Sequence, residues 1–158
     1  MIDSCIDAED GTVDKHMGDG VMAFWGAPEV EDDHGLRACR AALAMLHAMI
    51  RDNDRRRQEG AVPVRLRVGI HTGPVTVGNI GGATRVSYTI VGDTVNTADR
   101  LCELGKQVPA DGNDVVILIS GDTGERVRQH FELVPFGAHV LRGRHGGTEI
   151  FRLVGAKY

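Results

Sequence analysis

A Gly-Asp-Gly triplet at residues 18–20 constrains this chain more than any other local feature. It stands between two short extended runs, Thr12-Val13-Asp14-Lys15-His16-Met17 and Val21-Met22-Ala23-Phe24-Trp25. A tight-turn signal between two such runs folds them back on each other as a β-hairpin. Gly26-Ala27-Pro28 stops the second arm, and Gly11 separates the first from residues 1–10, which read as the tail of a helix.

Beyond the hairpin the apolar period changes from two to that of a helix. Leu36, Cys39, Leu43, Leu46 and Ile50 recur at steps of three and four behind a cap at Asp32 or Asp33, with Arg37, Arg40 and His47 on the other side. This helix is expected to dissolve into the charged run 51–59, a solvated end. Val64, Leu66, Val68 and Ile70 then alternate with polar or small residues, as in a half-buried strand. Val75-Thr76-Val77 continues the extended structure, and glycines 78, 81 and 82 mark a loop. Ser87 to Val91 reads as a strand that runs into a second helix, capped by Asp93 or Thr94 and carrying Val95, Ala98, Leu101 and Cys102. Val115 to Ile119 is a buried strand. A short helix over 123–129 and strands near 131–141 and 148–153 complete the chain. Strands and helices interleave with hairpins, so the fold class is α+β with a largely antiparallel sheet, in one domain over residues 1–158.

A charged fraction of 25% and a hydrophobic fraction of 42% fit a soluble globular protein with a real core. The net charge of −4 argues against a nucleic-acid partner. No apolar run is long enough to cross a bilayer, and the acidic start MIDSCIDAED lacks the layout of a signal peptide. Cys5, Cys39 and Cys102 have no paired spacing and read as reduced thiols of a cytoplasmic protein, with Cys39 and Cys102 in the core. The seven histidines are scattered without zinc-ligand spacing.

Three short segments have chemical potential. Gly18-Asp19-Gly20 places a carboxylate at a hairpin tip, where flanking glycines let a metal-bound polyphosphate approach the backbone. Asn96 and Arg100 lie four apart at the start of a helix and share a face, a polar clamp suited to a phosphoryl transition state. Leu141-Arg142-Gly143-Arg144 sets two guanidinium groups around a glycine, which suits a triphosphate tail. Taken singly, each is better read as an ordinary turn or exposed helix face.

Their order is more telling. TVDKHMGDGVMAFWGAP, an alanine-rich helix, RVGIHTGPVTVGNIG, YTIVGDTVNTADRL and an Arg-Gly-Arg turn before a last strand together resemble the class III adenylate and guanylate cyclase catalytic domain. The resemblance covers nearly the whole chain. It implies a ferredoxin-like-derived cyclase fold, a mostly antiparallel sheet with flanking helices. It further implies conversion of ATP to 3′,5′-cyclic AMP and pyrophosphate, assisted by two divalent metal ions, Mg2+ or Mn2+. By the same resemblance Asp19 matches one of two metal-binding aspartates, and Lys15 the lysine that reads the purine edge. Thr89 falls at the partner purine-reading position, Asn96 matches the residue that orients the ribose, and Arg100 the arginine of the transition state. Arg144 falls where the family often has a lysine for the terminal phosphates.

Lys15 is a donor that can meet an adenine ring nitrogen, and a threonine hydroxyl at 89 can accept from the 6-amino group. Guanylate cyclases usually place an acidic residue at the lysine position, so ATP is the expected substrate. The family works as dimers, so a homodimer is expected in which one chain supplies Asp19 to a site and the other supplies Lys15, Thr89, Asn96 and Arg100. The family's first metal aspartate lies on a strand before the hairpin, which is missing here, so the domain is expected to be incomplete at its N-terminus. The alternatives are a catalytically silent, nucleotide-binding or regulatory partner, and a guanylate cyclase. Sensor or effector modules in a longer chain are compatible with the family.

Overall fold

The computed structural model describes residues 1–80, 87–109, 112, 114–139 and 147–157, with the backbone alone for 79–80 and 87–89. Four α-helices and eight strands are described, in the order α1 (Ile2–Ala8), β1 (Thr12–Met17), β2 (Gly20–Phe24), α2 (His34–Gln58), β3 (Leu66–Ile70), β4 (Thr76–Ile80), β5 (Ser87–Val91), α3 (Asp93–Leu104), β6 (Val115–Ser120), α4 (Gly121–Val127), β7 (Phe131–His139) and β8 (Thr148–Ala156).

The largest sheet has the order β3-β6-β8-β7, with β3 parallel to β6 and the other pairs antiparallel. Two hairpins, β1-β2 and β4-β5, form separate two-stranded sheets. β6 is buried along its whole length, which is why it reads as a continuous apolar run. Its alternation divides the core. Val115, Ile117 and Ile119 pack with Cys39, Ala42, Leu43 and Met49 of α2 and Val127 of α4. Val116 and Leu118 pack with Leu101 of α3 and Ile150 of β8. The large sheet is thus covered by α2 and α4 on one face and by α3 on the other. A third cluster ties Ile6 of α1 and Ala41 and Met45 of α2 to Val13, Val21, Ala23 and Trp25 of the first hairpin and its border. This mixed layered architecture agrees with the α+β class read from the sequence.

Several boundaries differ from the sequence reading. α2 continues through the charged run to Gln58, where Asp52 pairs with Arg55 and Arg56 at one-turn spacing and the Asn53 side chain is fully buried. Ile50 is 43% exposed while Met45 and Met49 are buried, because α2 packs on the sheet and on the first hairpin at once and its buried arc is wider than one stripe. Asp33 stands at the N-cap of α2, but its carboxylate accepts from Arg37 Nε at 2.9 Å and caps no backbone N–H. That bond holds its pKa below the usual carboxylate value. Val64 lies outside β3, and Gly78 lies within β4 and not in a loop. The short helix ends at Val127.

Candidate active site

The β1-β2 hairpin turns on Gly18 and Asp19, with Gly18 at φ +59°, a conformation that suits glycine. Asp19 is exposed at the tip. Pairing slips between Val13 and Lys15, so Asp14 is left out of the ladder. Its side chain is 2% exposed and its carboxylate lies 3.9 Å from the Lys15 ammonium, which is itself half exposed. The hairpin is also held to α1, where His16 Nε2 lies 3.2 Å from an Asp3 carboxylate oxygen.

β1 packs against β5, and Thr89 lies opposite Gly78 in the β4-β5 ladder. After β5 the chain turns at Gly92 and enters α3 directly. Asn96 and Arg100 are both exposed on α3, whereas Thr97 and Leu101 are buried. The strand of Lys15, the strand of Thr89 and the helix of Asn96 and Arg100 are therefore neighbours. Arg144, and with it the segment 141–144 expected to form a turn, lies outside the described residues.

α3 is seated unusually close to β3. A Cβ at Gly69 would stand 2.3 Å from the Ala98 carbonyl oxygen and 2.5 Å from the Cys102 nitrogen. The N-cap is Gly92, not Asp93 or Thr94 as the sequence reading allowed, and it offers no side-chain acceptor. The Thr94 hydroxyl instead donates to the Pro74 carbonyl at 2.6 Å. Sequence reading missed this contact, and it missed the buried Asp14. For the first, a signal existed in the glycines at 69 and 73, which mark a strand and its exit where another backbone approaches closely.

Burial pushes the Cys39 thiol up to about 12 and raises Cys102 as well, so neither is a reactive thiolate. Cys102 is half-buried, and its Sγ lies 3.5 Å from the Arg67 carbonyl oxygen. Among the described residues no three His, Cys, Asp or Glu side chains gather as metal ligands. Asp19 has the hard oxygen chemistry that a divalent ion prefers, but by themselves the described residues do not make a complete site for one. No described helix is long and apolar enough to cross a membrane.

Comparison with known proteins bears on what this arrangement serves. Residues 1–155 match the family described as the adenylate and guanylate cyclase catalytic domain. "Adenylate cyclase 1" of Rhizobium meliloti is 34% identical over 155 residues, which cover 98% of this chain and 23% of that protein. The chain thus spans about a quarter of the length of these curated relatives, 23% of that protein and 24% of an uncharacterized protein of Mycobacterium tuberculosis that is 37% identical over 150 residues. Among solved structures, the adenylyl cyclase CyaB from P. aeruginosa aligns with a TM-score of 0.83 at 30% identity, covering 99% of this chain and 78% of that one. The guanylyl cyclase Cya2 aligns with a TM-score of 0.81 at 29% identity, covering 99% and 76%.

Proposed function

This chain belongs to the adenylate and guanylate cyclase catalytic domain family, and we propose that it converts ATP to 3′,5′-cyclic AMP and pyrophosphate. In that reaction the ribose 3′-oxygen attacks the α-phosphorus and gives up its proton. A new P–O bond forms, and the bond to the bridging oxygen of the leaving pyrophosphate breaks.

The observation that supports the reading is the adjacency of β1, the strand of Lys15, to β5, the strand of Thr89, which runs straight into α3 with Asn96 and Arg100. In the proposed division of labour, Lys15 and Thr89 read the purine, Asn96 orients the ribose, and Arg100 stabilises the charge that develops on the α-phosphoryl group. Arg144 is proposed to meet the terminal phosphates. The family implies two divalent ions, Mg2+ or Mn2+, which would neutralise the phosphates; Asp19 is the residue of this chain proposed to touch them. The site is proposed to lie between two copies of the chain in the cytoplasm, with Asp19 and the other site residues serving opposite sites. Sensor or effector modules are a further expectation for a longer protein.

Adenylyl and guanylyl enzymes resemble this chain to a similar degree, so the case for ATP rests on hydrogen-bond matching. A lysine ammonium donates, and adenine offers a ring-nitrogen acceptor where guanine offers an N–H. The second reading is a silent nucleotide-binding partner, favoured by one observation: among the described residues no three His, Cys, Asp or Glu side chains, Asp19 included, gather as metal ligands.

Substrate choice is tested in the full-length natural chain. Lys15→Glu with Thr89→Cys should lower the ratio of ATP to GTP kcat/KM. Leaving one buried polar group unpaired costs about 1–3 kcal/mol, or roughly 5- to 150-fold in that ratio. An active variant with an unchanged ratio would remove Lys15 and Thr89 as purine readers.

A further inference from the structure

We propose that Thr94 is a positioning residue, which sets α3 on the strap that follows β3 and so fixes where Asn96 and Arg100 stand. The proposal rests on the roles given above to those two side chains.

Three contacts define the seat. At its start α3 lacks the usual anchor, since the N-cap is Gly92 and no side chain caps the first turn. The Thr94 hydroxyl does something else, donating across to the Pro74 carbonyl at 2.6 Å. One turn on, the Ala98 carbonyl and the Cys102 amide lie against Gly69, at distances that leave no room for a Cβ. The strap itself is cut to fit, because a Cβ at Gly73 would come within 2.6 Å of the Thr94 hydroxyl oxygen.

Helical geometry links this seat to the reactive side. Thr94, Ala98 and Leu101 follow at steps of four and three; Ala98 and Leu101 lie against Gly69 of β3, and Thr94 against Gly73 and Pro74 of the strap. Asn96 lies about 200° and Arg100 about 240° around the helix from Thr94, at 100° per residue. Both are exposed. A helix that tips about its Gly69 contact carries these two side chains with it. Gly69 fixes how near α3 comes, and the hydroxyl at the other end fixes its tilt. The strap is itself anchored on the far side. His71 Nδ1 lies 2.7 Å from the Ser120 hydroxyl, and the Thr72 and Thr123 hydroxyls are 2.8 Å apart. The Pro74 carbonyl is thus presented by a segment tied to β6 and α4, which gives the Thr94 bond a fixed point to pull against.

Steady-state kinetics of Thr94→Val, Thr94→Ser and Arg100→Ala in the full-length natural chain, with thermal melts of each, test this. Thr94→Val keeps the shape and removes the donor. A displacement of about 1 Å at a transition-state group can cost on the order of 100-fold, so kcat is expected to fall about 10- to 100-fold. KM for ATP should stay within about twofold and the melting temperature should hold. Thr94→Ser should restore kcat. If Thr94→Val loses the folded signal, Thr94→Ala takes its place, because it removes the hydroxyl without the branched methyl. Wild-type kcat in a folded variant lacking the hydroxyl, or a serine that fails to rescue, overturns the proposal. Should Arg100→Ala itself keep wild-type kcat, the role given to Arg100 fails and the positioning role falls with it. Loss of activity in Arg100→Ala but not in Thr94→Val removes the positioning role alone.

Discussion

Asn53 lies in a stretch of arginines and aspartates that gives no periodic signal, yet its side chain is fully buried. Its amide donates to the Val64 carbonyl at 2.7 Å and accepts from the Val64 N–H at 2.8 Å. This pairing fastens the end of α2 to the segment entering β3, and it explains why the helix does not fray where the charges begin. Asn53→Leu would remove the side-chain partner of both Val64 backbone groups; Val64 itself is 40% exposed, so water replaces part of the pairing and the cost is about 1–2 kcal/mol. The melting temperature should drop by roughly 2–8 °C; an unchanged melt would show that the pairing contributes nothing net. Cys39 makes a second prediction at this scale. Its ordinary pKa of 9.0 is pushed up to about 12 by burial. The folded state therefore keeps its proton where the unfolded thiol has lost it. This contribution to stability is whole below about pH 9 and is lost as pH rises towards 12. Denaturation midpoints measured between about pH 8 and 11 should fall more steeply for the native chain than for Cys39→Ala. Both residues show the limit of one-dimensional reading: the cysteine lies on an apolar stripe and was legible as core, and the asparagine was not.

At the scale of elements, legibility followed the strength of the periodic signal. The hairpin was readable from Gly18-Asp19-Gly20, and β5 matched its expected span of Ser87 to Val91 residue for residue. Helix starts were less readable. Asp33, one of two expected caps of α2, gives its carboxylate to Arg37, and Thr94, one expected cap of α3, gives its hydroxyl to Pro74. Side chains that could cap a helix can equally serve a tertiary partner, and local sequence does not say which. The packing of α3 on β3 was foreshadowed only by a glycine inside a strand. Gly69→Ala should be more costly than Gly18→Ala for a physical reason. At Gly69 the added carbon meets helix backbone at 2.3 Å, so α3 must move, whereas at Gly18 it meets nothing within 4 Å and only the backbone angle is strained. We expect a loss of about 1–3 kcal/mol or more for Gly69→Ala by overpacking and about 1–2 kcal/mol for Gly18→Ala. Urea denaturation midpoints of the two variants give the order directly, and the reverse order would mean that α3 is not pressed on β3 as described.

At the scale of the whole molecule, the sheet order β3-β6-β8-β7 was not legible, because the parallel pairing of β3 with β6 joins segments that no local pattern connects. The same is true of the neighbourhood of β1, β5 and α3, which came from resemblance and not from spacing. What that neighbourhood leaves outward is informative. Asp19, Asn96 and Arg100 are all exposed, and Lys15 is half exposed. A transition-state group gains most of its strength in a water-excluded site, which these surfaces lack in a single copy. A second copy laid over them would supply the exclusion, and this is the physical case for the proposed shared site. It makes a strong prediction for mixtures. Asp19→Ala and Arg100→Ala, each in the full-length natural chain, should each be inactive in a homodimer, since every site then lacks one group. Random exchange makes half of the dimers mixed. If Asp19 and Arg100 serve opposite sites, both defects of a mixed dimer fall in one site and leave the other intact. The mixture should recover roughly a quarter of native activity, by the counting of a two-fold dimer. Recovery should follow the kinetics of subunit exchange and should vanish when the chains are crosslinked as homodimers before mixing. If both variants dimerise and exchange but no activity returns, Asp19 and Arg100 act in the same site and the split assignment is wrong.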